Sequence, residues 1–231
     1  MKNRTLWSLL LVLSLAACHD NKLDDERPDN IIDTIPCPTL YSRILELFPE
    51  NVEITQQVLF SDSAQKKVVL TAPTEVYVTY LAEGAGYRNS VAWYSYNKNQ
   101  PPTAADKLEL HVLFPDVSSD ILQPGNRLKL QDGQFPAGTV IGFVLIINGW
   151  QGKVDFDKVK LYTDYQFNPN KRQQHILFQE KTCGALVLAF EDNTSVSDKD
   201  DADYNDIIFT VEDNNTSLEN TSFDETGLIS W

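Results

Sequence analysis

From residue 67 onward short apolar runs bounded by turn residues read as β-strands, one of them with the period-two alternation that turns one face of a strand towards a core. Val76, Val78 and Tyr80 alternate with Glu75, Tyr77, Thr79 and Leu81. Comparable short runs predict strands at 68–70, 90–96, 107–114, 127–130, 140–147, 159–162, 175–179, 185–190 and 207–211. Turn-forming residues separate nearly every pair: Glu83-Gly84-Ala85-Gly86, residues 97–102, Pro124-Gly125-Asn126, Asp132-Gly133 and Asn168-Pro169-Asn170. One stretch keeps a different rhythm. In 38–49 (PTLYSRILELFP) the spacing of Leu40, Ile44, Leu47 and Phe48 predicts a short amphipathic helix with these four facing inward. After residue 50 no helical period returns, and neither a βαβ rhythm nor a repeat of 20–50 residues is present. The pattern therefore predicts an all-β chain, an antiparallel, jelly-roll-like β-sandwich with one short N-terminal helix.

The ends follow other rules. Lys2 and Arg4 precede an apolar run at 6–15, too short for a membrane span of roughly 20 residues. It closes on Leu15-Ala16-Ala17-Cys18, which resembles the lipobox of bacterial lipoproteins. That resemblance implies a signal peptide at 1–17, cleavage before Cys18 and acylation of Cys18. The membrane is then a partner through this anchor, at the bacterial outer membrane or cell surface, with a periplasmic face left open. Residues 18–38 form an acidic tether carrying Asp20, Asp24, Asp25, Glu26 and Asp29, similar to surface-export signals of some Gram-negative lipoproteins. The sandwich is expected over 39–213, and 214–231 as a polar, loosely ordered tail with Leu228, Ile229 and Trp231 as a final docking contact. With Cys18 acylated, Cys37 and Cys183 either pair in an oxidising envelope or stay as two buried thiols.

A length of 231 residues with 42% hydrophobic content suits one sizeable domain. The net charge of −14 argues against nucleic acid as a partner, since phosphate binding needs a basic surface. Three histidines and three cysteines leave little material for a transition-metal centre. The acidic residues matter more where they cluster: Glu191-Asp192 at the end of one strand, and Asp198, Asp200, Asp201, Asp203, Asn205 and Asp206 running into the next. If 184–190 and 207–211 form a hairpin, these strand ends meet about 4.8 Å apart. Glu191, Asp192, Asp203, Asn205 and Asp206 then make an oxygen-rich set suited to Ca²⁺, with Asp198, Asp200 and Asp201 covering it. An EF-hand loop from Asp201 to Glu212 fails: Asp206 replaces the turn glycine, and an extended strand carries Glu212 roughly 20 Å from Asp206.

Glu83-Gly84-Ala85-Gly86-Tyr87-Arg88-Asn89, Phe135 to Phe143, Asn148-Gly149-Trp150, His175-Ile176-Leu177, Phe190-Glu191-Asp192 and Asp203 to Phe209 occur in an order that resembles a bacterial extracellular family. It is the domain of unknown function 4114, with the related LruC-type domain of surface lipoproteins; Ala92 departs from it where glycine is common. The resemblance implies a β-sandwich with a Ca²⁺ site and no established enzymatic activity. It also nominates Glu83 as a metal ligand, in a loop whose Gly84 and Gly86 let the backbone curl; a plain turn with an exposed Glu83, or Arg88 neutralising a carboxylate, are the alternatives. His175 and His111 are expected to be structural. Tyr94, Tyr96 and Trp150 offer a carbohydrate-stacking face, although Trp93 points to the opposite side of its strand and one face must be core. No nucleophile elbow, zinc-protease helix, CxxC, P-loop or dinucleotide fingerprint is present, and crowded acids suit a cation better than the separated pair of a glycosidase. The expected role is therefore a Ca²⁺-binding adhesion module or one that binds a glycan or surface protein. A purely structural surface module is the alternative, a carbohydrate-active enzyme the remoter one.

Overall fold

In the computed structural model the described residues are 27–34, 37–194, 201–213 and 221–231. They form twelve strands: β1 (Ile32–Asp33), β2 (Val68–Val69), β3 (Val76–Ala82), β4 (Ser90–Asn97), β5 (His111–Phe114), β6 (Asn126–Lys129), β7 (Thr139–Ile146), β8 (Lys160–Tyr162), β9 (His175–Gln179), β10 (Leu186–Phe190), β11 (Ile207–Asp213) and β12 (Ile229–Ser230). The one α-helix among the described residues, α1, spans Leu40–Leu47; it buries Leu40 and Ile44, with Phe48 just beyond its end, as the spacing predicts, while Leu47 is half-buried.

The strands make two sheets. One has the order β1-β6-β3-β11-β10-β9-β12; the other runs β2-β7-β4-β5, with β8 also paired to β7. Every pairing is antiparallel except β12 on β9. The fold is a β-sandwich, and the alternation explains it strand by strand. On β10, Leu186, Leu188 and Phe190 enter the core between the sheets, while Val187 and Ala189 pack on the outer face under α1. On β4, Val91 and Trp93 face inward, and Ala92 and Tyr94 lie under a third apolar cluster with Val144, Ile146 and Tyr162. Both sheets are thus covered on both faces, which is why β7 reads as an unbroken apolar run and is buried along its whole length. Tyr94 sits opposite Gly142 across the β4–β7 pair, and a Cβ on Gly142 would lie 2.1 Å from the tyrosine ring. Only glycine leaves room for that ring.

The sandwich does not stop at residue 213. Phe223 is buried in the inter-sheet core, Ser222 donates its N–H to Asp213 at 2.6 Å, and β12 joins the sheet beside β9. The Trp231 ring packs against Phe48 and Phe178, with centroids 5.3 and 5.1 Å away. The described part of the tail is therefore ordered by apolar burial; only its expected contact near the last residues was foreseen. At the other end β1 extends the sheet into the region assigned to the tether. The strand expected at 107–114 is shorter, since Ala105–Lys107 is a 3₁₀ turn and only His111–Phe114 pairs. Leu108 and Leu110 instead pack on the outer cluster around Tyr94. Cys37 and Cys183 form a disulfide across a sequence separation of 146, the first of the two alternatives.

Candidate metal centre

The β10–β11 hairpin brings the acids together. Phe190 pairs with Ile207, so Glu191 and Asp192 leave one strand where Asp206 enters the other. The Asp192 N–H donates to Asp206 Oδ2 at 2.6 Å, and the carboxylates of Glu191, Asp192 and Asp206 approach within 4.8 Å of one another. Glu191 and Asp192 are 1% and 8% exposed, so this is an interior arrangement. Ahead of β11 the loop is folded back by Ala202 and Tyr204, whose φ of 48° and 56° lie in the left-handed region. The buried Tyr204 ring, 5.3 Å from Phe60, pins this turn. Between the two lies Asp203, whose carboxylate accepts N–H groups from Asn51 (2.8 Å) and Asn205 (3.2 Å). A second carboxylate group results: Glu50, Asp201 and Asp203, again with oxygens within 4.8 Å. Asn205 links it inward, donating Nδ2 to Glu50 at 3.0 Å and to Asp203 at 2.9 Å.

Burial followed by the charges of Asp192 and Glu191 pushes the Asp206 carboxyl up to about 9. Burial also raises Asp192 and Asp203, and Asp201 adds repulsion to both. Carboxylate and amide oxygens without sulfur or imidazole are the donors that hard, flexible Ca²⁺ coordination requires, so the residues present fit that ion. Asn89 steadies the site from behind: its Nδ2 donates to Asp192 at 2.7 Å and its Oδ1 accepts the Asn148 N–H at 2.8 Å.

Of the residues nominated from sequence, Glu191, Asp192 and Asp206 fall in one group, with Asp203 and Asn205 in or beside the other. Glu83 does not join them. Its Oε2 accepts the Ser119 N–H at 3.1 Å, it belongs to neither carboxylate group among the described residues, and burial pushes it up to about 7. Gly84 is required not for curling but for close approach, since a Cβ there would lie 2.5 Å from Asn205 Oδ1; at Gly86 nothing lies within 4 Å. Arg88 pairs with buried Asp116. Glu212 sits far along β11, where it accepts from Thr79 at 2.8 Å and pairs with Arg127 at 3.1 Å, in keeping with the failure of the EF-hand. Asp198, Asp200 and Cys18 lie outside the described residues.

The aromatic platform is corrected by burial. Tyr94 is 0% and Trp150 5% exposed. The Tyr94 hydroxyl donates to Asp164 at 2.8 Å, and half-buried Tyr96 donates to the same carboxylate at 3.1 Å. Tyr94 and half-buried Tyr96 pack in the outer cluster, and neither Tyr94 nor Trp150 presents a ring to solvent. His175 is buried with Nε2 2.9 Å from the Lys66 carbonyl, and burial lowers it to about 4, consistent with a structural role; His111 stacks on Trp93. Sequence reasoning missed Glu50 and the positioning role of Asn89. Glu50 follows α1 with no local signal, and only the packing of α1 on β3 and β11 brings it there.

No curated protein and no solved structure matches the chain. Residues 135–214, which carry Asn148, Glu191, Asp192 and the Asp203–Asp206 turn, match the model of the family described as a domain of unknown function (DUF4114), the family that the sequence motifs resemble.

Proposed function

We propose that this chain is a lipid-anchored surface module whose sandwich binds Ca²⁺ at the end of the β10–β11 hairpin and engages a partner without catalysing a reaction. One observation carries the reading: the Glu191, Asp192 and Asp206 carboxylates lie within 4.8 Å of one another at the buried end of two paired strands. At that separation two full charges repel by about 3–4 kcal/mol at an effective dielectric of about 20. A divalent ion would turn the repulsion into attraction and tie the end of β10 to the start of β11. Glu191, Asp192 and Asp206 would hold it, and Glu50, Asp201 and Asp203, bridged by Asn205, form the adjoining set. A purely structural module remains the second reading, favoured by the burial of Tyr94 and Trp150.

Titration calorimetry with Ca²⁺ tests the metal assignment. Saturable heat that disappears in Asp206→Ala is expected; absence of heat from the metal-stripped wild type would sink the reading. The anchor rests on the Leu15-Ala16-Ala17-Cys18 motif. Membrane fractionation should find the wild type in the bilayer and Cys18→Ala released from it, and equal partition of the two would remove the anchor from the proposal.

A further inference from the structure

Beside the carboxylates, a cleft of about 170 Å³ opens between the C-terminal end of α1 and the loop leaving β3. Its walls differ in kind. Ile44 and Phe48 of the α1 segment and Ile208 of β11 make one side apolar, while Glu50, Glu83 and Asn205 line the other. The Asn205 NH₂ is committed to Glu50 and Asp203, and its Oδ1 faces the Gly84 backbone. The polar wall is thus made of hydrogen-bond acceptors, and no basic side chain is among the described lining residues. At the mouth, Leu45 is 49% exposed, and Tyr41, one turn earlier on the same face of α1, is 44% exposed.

We propose that this cleft receives a lysine or arginine side chain from a protein partner. The aliphatic stem lies along Ile44, Phe48 and Ile208, and the cationic head reaches Glu83. Leu45 and Tyr41 form an apolar rim that excludes water from the pair. The proposal deepens the partner-binding part of the reading above and assigns Glu83 a role outside the metal set. Glu50 and Glu83 already accept Asn51, Asn205 and Ser119, but each of those donors is neutral; two carboxylates with no cation among the described lining residues, on a chain of net charge −14, favour a cationic visitor. A bare hydrated ion gains nothing from the apolar side, whereas an amphipathic cation uses both walls. A buried charged anchor surrounded by an apolar rim is also the arrangement in which single side chains dominate protein interfaces.

The test uses the Ca²⁺-saturated protein with its isoleucine and leucine methyl groups followed by NMR. Butylammonium and arginine amide are titrated as probes, with n-butanol as the neutral control and a methyl glycoside as the sugar control. The cationic probes should shift the Ile44, Leu45 and Ile208 signals saturably at millimolar concentration, and Glu83→Gln should weaken them about tenfold, the loss of one charged contact of roughly 1.4 kcal/mol. Equal response to butanol, tighter binding of the glycoside, no saturable shift, or unchanged affinity in Glu83→Gln would each overturn the proposal. Glu83→Gln should keep its calorimetric response to Ca²⁺. Failure of that response in the wild type would strike the metal reading and leave the cleft assignment standing.

Discussion

Calcium should raise the melting temperature of the metal-stripped protein by roughly 5–10 °C when free ion stands about 100-fold above its dissociation constant. Preferential binding to the folded state at that ratio is worth about 2.7 kcal/mol, and a chain of this size gains about 2–4 °C per kcal/mol. A chelator should reverse the shift. Asp206→Asn should lose the response without melting earlier than the stripped wild type. Its neutral amide replaces a carboxyl that burial beside Asp192 and Glu191 already holds up to about 9. That raised value fixes the sign of the pH dependence. Without metal, the stability contributed by the neutral Asp206 is fully present below its unfolded value near 3.8 and is lost progressively as pH rises towards about 9. Ca²⁺ needs the ionised form, so binding near neutral pH should release about one proton per ion, and affinity should fall up to tenfold per unit of acidification. Calorimetry in buffers of different ionisation enthalpy reads the proton directly. A melting temperature indifferent to calcium and chelator alike would refute the assignment.

Replacing Cys37 and Cys183 together by serine should cost about 2–5 kcal/mol, a loss of roughly 4–20 °C in melting temperature. The bridge closes a loop spanning 146 positions and fastens the segment before α1 to the β9–β10 turn. The turn has its own support: the Glu180 carboxylate accepts the N–H groups of Thr182 at 3.1 Å and Cys183 at 2.7 Å, and Arg43 of α1 lies 3.7 Å from it. The double variant should therefore still fold, with α1 losing hydrogen-exchange protection before the sheets do. Reductant should reproduce the effect in the wild type and do nothing to the variant. Identical melting of the two proteins would show the bridge to be dispensable.

The sandwich was legible because short apolar runs bounded by turn residues are a local signal. The run 185–190 reads as a strand from its apolar residues and bounding turns, and the structure buries both of its faces, Leu186, Leu188 and Phe190 on one side and Val187 and Ala189 on the other. The two-residue strands β1 and β12 have no period to detect, and they join the sheet only because an edge is there to receive them. Leu108 and Leu110 were read as strand residues since alternation alone does not separate a strand from a covering segment. The same ambiguity misled the reading of Tyr94, Tyr96 and Trp150: their directions were predictable, but the segments that cover them, around Val154 and Phe167, have irregular apolar spacing. At the site, the acids contiguous with β10 and β11 were found because hairpin pairing fixes their neighbours. Glu50 and Asn89 come from other elements and enter only with the tertiary fold, while Glu83 was drawn in by motif adjacency and lies outside both carboxylate groups.

Helix α1 begins three residues after Cys37 and ends three residues before Glu50. One end is held by a covalent bond that forms only where thiols are oxidised, the other by a carboxylate beside the proposed ion. Without the bridge and the ion, α1 would keep only its apolar seat of Leu40, Ile44 and Phe48 and the Asn205–Glu50 hydrogen bond. At the proposed surface location, both clasps close where thiols are oxidised and calcium is present. The exposed Tyr41 and Leu45 would then be fixed in position together, so the surface they present depends on both clasps.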